Sequence, residues 1–389
     1  MWLKNAAVLD SLFHFTPADL RVVGEQIDIL CSHGRYRTDS EESLDFSGKY
    51  IIPGLIDIHI HGCSGRDVSD GKEGSLEIIS GFLAQNGVTS FLPTTVTLED
   101  NALVYALRQI RAFQQGPIIG AYAHGANMEG PYLSKEKRGA HREDWLQNPR
   151  IMHFLRMNQE CGGQIKILSV APELEGAMEF IAVAKDSAKI SIAHTSADYD
   201  TAMKAIQKGV SHATHMYNAM TGLNHRAPGV VGAIADSHIT AELICDCVHI
   251  HPAVIRTTFG MLGYDRVIMM SDAIAATGLT DGQYRLGGLD VWVKKGQAHL
   301  EDGTIAGSTA TLMEDVRRAY AIGIPLEKAI RAASYNPAVA LGIEERTGSI
   351  AEGKWADLVV LNDQLQVEYV LVKGVPVYNM YEQKEEKGE

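Results

Sequence analysis

Eight short apolar runs, separated by amphipathic stretches, constrain the fold of this 389-residue chain more than any other feature. The runs have the length and composition of strands, and most of the stretches between them have the spacing of helices. Strands that are apolar throughout and alternate with helices predict a parallel sheet covered on both faces. Eight such units predict a closed barrel. The runs are residues 51–62, 88–94, 117–125, 165–172, 189–195, 210–216, 239–249 and 266–273.

Helical periodicity is found between most of these runs and once after the last of them. The predicted helices are residues 74–86, 100–115, 143–160, 176–187, 198–208, 252–262 and 309–322. Residues 279–308 alternate and contain DG and KKG turn signals, which predict a hairpin excursion after the eighth strand.

The two ends of the chain differ from its middle. Residues 1–50 and about 355–380 contain short alternating segments with glycine and charged turns, which predict antiparallel strands. The length admits two or three domains, or one barrel of about 250 residues with a small companion. Because termini commonly lie close together, we expect one discontinuous domain from both ends. The predicted fold class is α/β, a (β/α)8 TIM barrel (51–349) with a small β-sandwich domain (1–50 with 350–389).

Charge and cysteine content limit the partners and the compartment. Lysine and arginine total 35 against 48 acidic residues, a net charge of −13, which disfavours nucleic acid and anionic membranes as partners. An anionic small substrate needs its own cationic pocket. The five scattered cysteines do not form a disulfide scaffold, and no apolar stretch reaches the roughly 18 residues of a membrane span. MWLKNAAVLD lacks the apolar core of a signal peptide, so we expect a cytoplasmic protein.

Histidine and acidic residues end most of the predicted strands, where the loops of a barrel carry its working residues. They are His59 and His61 in the first run, Glu129 after the third, and His194, His215, His249 and Asp272 at the ends of the fifth to eighth. A single such histidine is more often a hydrogen-bonded core residue than a ligand. Five histidines at strand ends favour a metal centre, because buried polar groups are costly unless they are paired or bound to metal.

The spacing of the first histidine pair supports this interpretation. Alternate residues of a strand point the same way, so His59 and His61 should aim at one interior point. Nitrogen and oxygen ligands without cysteine suit zinc or ferrous iron. Three protein ligands with an open position are more typical of a hydrolytic site than of a structural one.

Five segments resemble the N-acetylglucosamine-6-phosphate deacetylases of the amidohydrolase superfamily: PGLIDIHIHG, HGANMEGPYL, AHTSADYD, THMYNAM and SDAIAATG. The resemblance covers essentially the whole chain. PGLIDIHIHG marks only the superfamily, whereas NMEGPYL and THMYNAM are specific to the deacetylases. The resemblance implies a metal-containing TIM barrel with a small β-sandwich from both termini. The periodicity also predicts this architecture.

The resemblance implies a ligand set for the metal. Glu129, His194 and His215 correspond to the ligands of the main ion. His59 and His61 correspond to the pair required for a second ion in the members that hold two. We therefore expect a divalent metal, zinc or iron, with one or two ions per chain. The structural alternative for Glu129 is a helix or turn cap after the third strand.

The resemblance also implies catalytic and substrate-binding roles. Asp272 corresponds to the acid/base residue, with an N-cap in SDAIAA as its structural alternative, and His141 to the residue that holds the acetyl carbonyl oxygen. His249 corresponds to the substrate contact of a D-x-x-H motif, here DCVH with Cys247 where glycine is usual. The remaining implied substrate-binding residues are Ala140, Asn218, Ala219, Ala306, Gly307 and Ser308.

The substrate phosphate requires a cation. Arg226 is the predicted partner, because a guanidinium binds phosphate oxygens bidentately, and His225 is a weaker donor beside it. The structural alternative for Arg226 is an exposed loop residue. Family members are commonly dimers in which loops reach the neighbouring site, so we expect a homodimer in which Arg226 or His225 can act across the interface.

The predicted reaction is hydrolysis of N-acetylglucosamine 6-phosphate to glucosamine 6-phosphate and acetate. One alternative keeps the fold and changes the substrate, to N-acetylgalactosamine 6-phosphate or to that of another amidohydrolase such as a deaminase or cyclic amidase. A second alternative is a catalytically inactive homologue that binds sugar phosphates. Such proteins usually lose a ligand or the acid/base residue, and this chain retains both kinds.

Overall fold

A computed structural model describes residues 1–35, 41–380 and 382 of the chain. The strands are β1 (Trp2–Leu9), β2 (Phe15–Val23), β3 (Gln26–Ser32), β4 (Ser43–Asp45), β5 (Tyr50–Pro53), β6 (Leu55–Ile60), β7 (Gly62–Cys63), β8 (Arg66–Asp67), β9 (Val88–Thr95), β10 (Tyr122–Ala123), β11 (Ala126–Met128), β12 (Ile165–Val170), β13 (Lys189–Ile192), β14 (Val210–Ala213), β15 (Thr240–Leu243), β16 (Val267–Met269), β17 (Gly282–Leu286), β18 (Leu289–Lys294), β19 (Gln297–His299), β20 (Leu358–Leu361), β21 (Val367–Val372) and β22 (Val375–Asn379). The helices are α1 (Ser75–Gln85), α2 (Asp100–Gln114), α3 (Ile151–Glu160), α4 (Ala177–Ala184), α5 (Tyr199–Lys208), α6 (Gly229–Ala235), α7 (Pro252–Leu262), α8 (Leu312–Ala321), α9 (Leu326–Ala333) and α10 (Tyr335–Leu341), with 3₁₀ turns at Lys135–Lys137 and Glu143–Trp145.

Parallel strands form the central barrel. Its sheet has nine strands, of which β10 and β11 share the position beside β9, so the order β6-β9-β10/β11-β12-β13-β14-β15-β16 has eight positions. Leu55–Ile60 and Val88–Thr95 are buried along their whole length, as expected for strands covered on both faces. The N–H of Asp272 donates to the carbonyl of His59 (3.0 Å), which joins the last strand to the first at their carboxyl ends. The predicted fold class is confirmed.

The two chain ends form one eight-stranded sheet in the order β22-β21-β20-β5-β1-β2-β3, with β4 paired to β1. Alternate residues of its strands face opposite ways. Leu358 and Val360 belong to an apolar core of the sheet's own, whereas Val359 and Leu361 pack into the core of the barrel. The sheet is therefore fixed to the barrel by one face. The predicted boundaries at residues 50 and 350 remain a prediction, and residues 383–389 lie outside the described residues.

The first apolar run contains strands of two different sheets. β5 pairs with β20 in the terminal sheet, and β6 pairs with β9 in the barrel. Gly54 joins them at a point where a Cβ atom would lie 1.9 Å from Oγ1 of Thr89, so a larger residue does not fit. This junction places the end of β6, and with it His59, at the mouth of the barrel.

The helices follow the predicted pattern with local differences. The prediction for 143–160 is wrong in its first half, where the chain forms only a 3₁₀ turn before α3 begins at Ile151. The helices α6, α9 and α10 were not predicted. Residues 279–308 contain the three-stranded antiparallel sheet β17-β18-β19 rather than a simple hairpin. Among the described residues, none of the helices has the length and apolarity needed to span a membrane.

Candidate metal centre

Glu129 lies at the centre of a cluster of five buried histidines. It follows β11 directly and projects between residues that follow other strands of the barrel. Its Oε1 lies 3.1 Å from Nε2 of His194 and 3.0 Å from Nε2 of His215. Its Oε2 lies 3.5, 3.2 and 3.4 Å from Nε2 of His59, His61 and His141. The predicted ligands, distant in the chain, therefore meet at one point.

Asp272 is the second carboxylate of the cluster. Its Oδ1 lies 3.3 Å from Nε2 of His61 and 3.5 Å from Nε2 of His59. Its carbonyl accepts a hydrogen bond from the N–H of Ser308 (2.8 Å), and its own N–H donates to His59. The backbone on both sides thus holds the carboxylate against the histidine pair.

The outer hydrogen bonds of three histidines define how they face this point. Nδ1 of His59 lies 3.0 Å from a carboxylate oxygen of Glu242. Nδ1 of His61 lies 3.2 Å from the carbonyl of Thr94, and Nδ1 of His194 lies 2.8 Å from the carbonyl of Lys137. These oxygens only accept, so each Nδ1 carries the proton. In the neutral ring, Nε2 then presents its lone pair to the centre, as a metal ligand must.

His141 has the opposite arrangement. The backbone N–H of Thr97 donates to Nδ1 of His141 (3.1 Å), and Oγ1 of Thr97 lies 2.9 Å from the same atom. Nδ1 is therefore an acceptor, and the neutral ring carries its proton on Nε2. His141 presents a hydrogen-bond donor to the cluster rather than a ligand lone pair. This contrast separates its role from those of the other histidines.

The donor set fits a divalent metal. Ligand atoms about 2.0–2.1 Å from a tetrahedral ion lie roughly 3.3 Å apart. Nε2 of His194 and Nε2 of His215 are 3.0 Å apart, and the distances to Glu129 are similar. Nε2 of His59 is buried and makes no hydrogen bond with any described residue. His59, His61 and Glu129 form one group of suitable ligands. Glu129, His141 and His194 form a second, although His141 faces it with a donor rather than a lone pair.

Burial and neighbouring groups act in opposite directions on the two carboxylates of the cluster. Burial alone would raise the pKa of Glu129, but the charge of His59 and the surrounding imidazole hydrogen bonds hold that pKa well below its usual range. The pKa of Asp272 is also lowered despite burial, chiefly by its hydrogen bond with His61. Both carboxylates are therefore ionised and require neighbouring positive charge.

Protonated histidines supply this charge in the metal-free protein. Burial opposes the charged form, but the two carboxylates outweigh it and raise the pKa of His61 to about 9. They also raise the pKa of His215, and Glu129 and Glu242 together raise that of His59 despite its burial. Burial dominates at His194 and lowers its pKa to about 4. A metal ion would replace these protons, because ligating histidine must be neutral.

Backbone strain is concentrated at the same strand ends. Six of the twelve non-glycine residues with positive φ among the described residues lie here: His194, His215, Tyr217, Ala219, Cys247 and Asp272, with φ between 28° and 80°. Such conformations cost about 1–3 kcal/mol each and are typical of functional sites. Cys247 (φ 61°) occupies a conformation that glycine adopts without steric strain.

A cavity of about 540 Å³ opens onto the cluster. The predicted substrate-binding residues that line it are Ala140, His141, Asn218, Ala219, His249 and Gly307. Ala306 and Ser308 are buried on either side of Gly307 and do not line the cavity. Gly307 has φ 64°, and a Cβ there would lie 2.5 Å from Cγ2 of Ile274, so only glycine fits this wall.

His249 is held at the cavity wall by Asp246. Nδ1 of His249 lies 2.7 Å from Oδ2 of Asp246, and Oδ1 of the same carboxylate accepts the backbone N–H of His249. Nε2 of His249 is left available to a ligand. Cys247, between the two, is half-buried and does not line the cavity.

The predicted phosphate partner lies elsewhere. Arg226 is exposed and lines a separate surface hollow with Tyr199 and Asp200, and His225 beside it is also exposed. Cations that line the cavity itself are instead Lys135 and Lys137, in the 3₁₀ turn, and Arg138, which follows it directly. Within one chain, Arg226 therefore lies away from the histidine cluster in the described part of the structure, and its phosphate contact remains a prediction.

Known proteins share this architecture and much of this sequence. The amidohydrolase family model matches residues 50–377. The chain belongs to the amidohydrolase family. An N-acetylglucosamine-6-phosphate deacetylase of Bacillus subtilis is 38% identical over 330 residues, which are 83% of each chain. An N-acetylgalactosamine-6-phosphate deacetylase of Escherichia coli O157:H7 is 34% identical over 329 residues, 83% of this chain and 86% of that one.

A solved structure is similar over nearly the whole chain. It is a mutant N-acetyl-D-glucosamine-6-phosphate deacetylase of Mycobacterium smegmatis in complex with N-acetyl-D-glucosamine-6-phosphate. The TM-score is 0.91 at 31% identity, covering 97% of this amidohydrolase and 99% of that chain.

Sequence reasoning missed three contributors to the site of this amidohydrolase. Glu242 is a buried carboxylate within an apolar strand, a pattern that is itself a signal because charged residues are almost never fully buried unpaired. Thr97, which sets the tautomer of His141, carries no signal of its own. Lys137 could have been found as part of the basic cluster KEKR that follows NMEGPYL.

Proposed function

We propose that this protein hydrolyses the acetamide of N-acetylglucosamine 6-phosphate and releases acetate and glucosamine 6-phosphate. The observation that carries the proposal is the arrangement at the cavity floor. In the neutral form that binds metal, three histidines present lone pairs around Glu129 and Asp272, while His141 presents a proton. The names of the curated relatives support the same substrate class.

The metal would be held by Glu129, His194 and His215, with His59 and His61 available for a second ion. These ligands suit zinc or ferrous iron equally, so the proposal covers either metal and one or two ions. A bound divalent ion supplies Lewis acidity and lowers the pKa of water from 15.7 towards about 7.

Asp272 is the proposed acid/base residue. It is ionised, so Oδ1 can accept the proton of the attacking water. The same atom can later return that proton to the nitrogen of the departing amine, which completes the cleavage of the C–N bond. Its position beside the histidine pair places Oδ1 within the cluster.

His141 is the proposed donor to the carbonyl oxygen. Its Nε2 proton points into the cluster because Thr97 occupies Nδ1. The carbonyl oxygen gains negative charge as water adds to the carbon, and a preorganised donor stabilises that charge. His141 thus favours the tetrahedral state over the bound amide.

The phosphate group would bind at the cationic side of the cavity. Lys137 is half-buried, lines the cavity and forms no ion pair with any described residue, so its charge is available to a ligand. Lys135 and Arg138 add positive charge but lie near Glu143 (3.6 and 3.8 Å). Arg226 could contribute only from a second copy, so its role belongs with the proposal of a homodimer. All five cysteines are free thiols, which supports the proposed cytoplasmic location.

A substrate panel tests this function. Acetate release is measured with N-acetylglucosamine 6-phosphate, its galactosamine epimer and unphosphorylated N-acetylglucosamine, using protein loaded with zinc or iron. We expect the first to have the highest kcat/KM and the unphosphorylated sugar to be a poor substrate. A preference for the epimer would mean that the substrate is N-acetylgalactosamine 6-phosphate. Tight binding of the sugar phosphates without acetate release would identify an inactive sugar-phosphate-binding protein.

A further inference from the structure

Glu242 is a fully buried carboxylate that contacts the histidine cluster on the side away from Glu129. It lies in β15, and its side chain has no exposed surface. Oε2 lies 3.0 Å from Nδ1 of His59 and accepts the backbone N–H of His215 at 3.2 Å. Oε1 lies 3.1 Å from Nε2 of His212. One carboxylate therefore joins His59 in β6, His212 in β14 and His215, two residues after the end of β14.

Each of these contacts uses Glu242 as an acceptor. An ionised carboxylate has no proton to donate, so Nδ1 of His59 must carry the shared hydrogen. That tautomer leaves Nε2 of His59 unprotonated in the neutral ring, facing Glu129 and Asp272. The contact with the N–H of His215 fixes the backbone of a second predicted ligand, whose ring centroid lies 5.7 Å from that of His59.

The third partner of Glu242 is His212, which bonds its other carboxylate oxygen. Nδ1 of His212 lies 2.7 Å from Oγ1 of Thr240, so both ring nitrogens of His212 are bonded. His212 itself does not reach the cavity. A role limited to satisfying His212 would not require the other oxygen of Glu242 to bond His59 and His215, and the same carboxylate does both.

We propose that Glu242 is a positioning residue of the metal centre. It holds His59 in the tautomer that can bind metal, and it couples the His59–His61 side of the cluster to His215 through one rigid group. Outer hydrogen bonds of this kind orient a ligating histidine and raise its basicity. The inference rests on the proposed metal centre but does not depend on the substrate.

The test compares zinc binding by three variants, measured by competition with a chelator and by zinc content per chain. Glu242→Leu keeps the approximate size and removes both acceptors. Glu242→Gln keeps one acceptor, because its amide oxygen can face His59 while His212 exchanges its tautomer. Glu368→Leu is the matched control, since Glu368 is also buried but pairs with Lys49 in the terminal sheet.

We expect Glu242→Leu to weaken zinc binding about 10- to 100-fold, the range for loss of an outer-shell partner. Glu242→Gln should recover much of this loss, and the Glu368 variant should bind zinc as the wild type does. Unchanged affinity in Glu242→Leu, or a glutamine variant no better than the leucine variant, would overturn the proposal.

Long-range ¹H–¹⁵N NMR of zinc-loaded wild-type protein decides the question even if the leucine variant does not fold. The proposal requires the proton of His59 on Nδ1, and a proton on Nε2 overturns it. Because neither readout uses substrate, a wild-type protein that binds zinc but releases no acetate would refute the proposed reaction and leave this inference standing.

Discussion

Replacing Asp272 with asparagine separates proton transfer from metal binding. Asp272 has φ 51°, a left-handed conformation that asparagine tolerates better than most residues, so the backbone should be retained. Its Oδ1 contacts His61 and His59 rather than the Glu129, His194 and His215 group. Asparagine keeps the shape but cannot accept a proton. General acid–base catalysis typically contributes 10²- to 10⁴-fold, about 3–5 kcal/mol of barrier.

We therefore expect kcat for acetate release to fall by about 10²- to 10⁴-fold in Asp272→Asn, with zinc content unchanged. The assay couples acetate to a dehydrogenase, and elemental analysis is performed on the same sample. Binding of N-acetylglucosamine 6-phosphate is followed by calorimetry and should be close to wild type. A variant that retains its metal and loses less than tenfold in kcat would refute the assignment of Asp272 as the acid/base residue.

Four further predictions follow from the site. His141→Ala should lower kcat by about 10²- to 10³-fold with unchanged zinc content, because one oxyanion donor is lost; loss of zinc instead would mean that His141 is a ligand. Lys137→Ala should raise KM about tenfold or more with little change in kcat, because a cation that binds the phosphate is lost. Lys208→Ala, at the exposed end of α5, is the control and should change neither constant. Equal kinetics in both variants would show that Lys137 does not bind the phosphate. In metal-free protein the pKa of His61 is raised from 6.5 to about 9, so its stabilisation is complete below pH 6.5 and is lost as the pH rises through 9. Urea unfolding should show a decrease of about 3 kcal/mol from this group over that interval, and a level profile would contradict it. Cys247→Gly, at φ 61°, should increase the free energy of unfolding by up to about 1 kcal/mol, because strain in the left-handed backbone is relieved; a decrease would show that the packing of Cys247 against the barrel core outweighs that strain.

The barrel could be predicted because its strands are apolar along their whole length, which is a local property of the sequence. Strand bounds were less predictable. The run 117–125 becomes a strand only at Tyr122, and the run 51–62 is divided by Gly54 between two sheets. This division depends on the close approach of Thr89, which no local period reveals.

The helix α6 shows why some elements escaped prediction. Its sequence, GVVGAIA, has no polar face, so it lacks the amphipathic period of a surface helix. Six of its seven residues are buried, so tertiary packing rather than periodicity explains it.

The convergence of the ligands could also be predicted, because His59 and His61 alternate on one strand and the other groups end neighbouring strands. Their tautomers could not. The partner of His59 is 183 residues away in the sequence, and the partner of His141 is 44 residues away. The position of Arg226 likewise depends on tertiary structure. Its guanidinium suggested a phosphate contact, but its loop lies at a separate surface hollow.

Anomalous X-ray diffraction at the absorption edge of the bound metal tests the central claim most directly. Crystals of protein purified with zinc or iron should show an anomalous peak about 2.0–2.2 Å from Glu129, His194 and His215. A second peak beside His59 and His61 would indicate a binuclear centre. Metal-loaded crystals with no peak between these residues, or with the ion bound elsewhere, would contradict a metal centre at the mouth of the barrel.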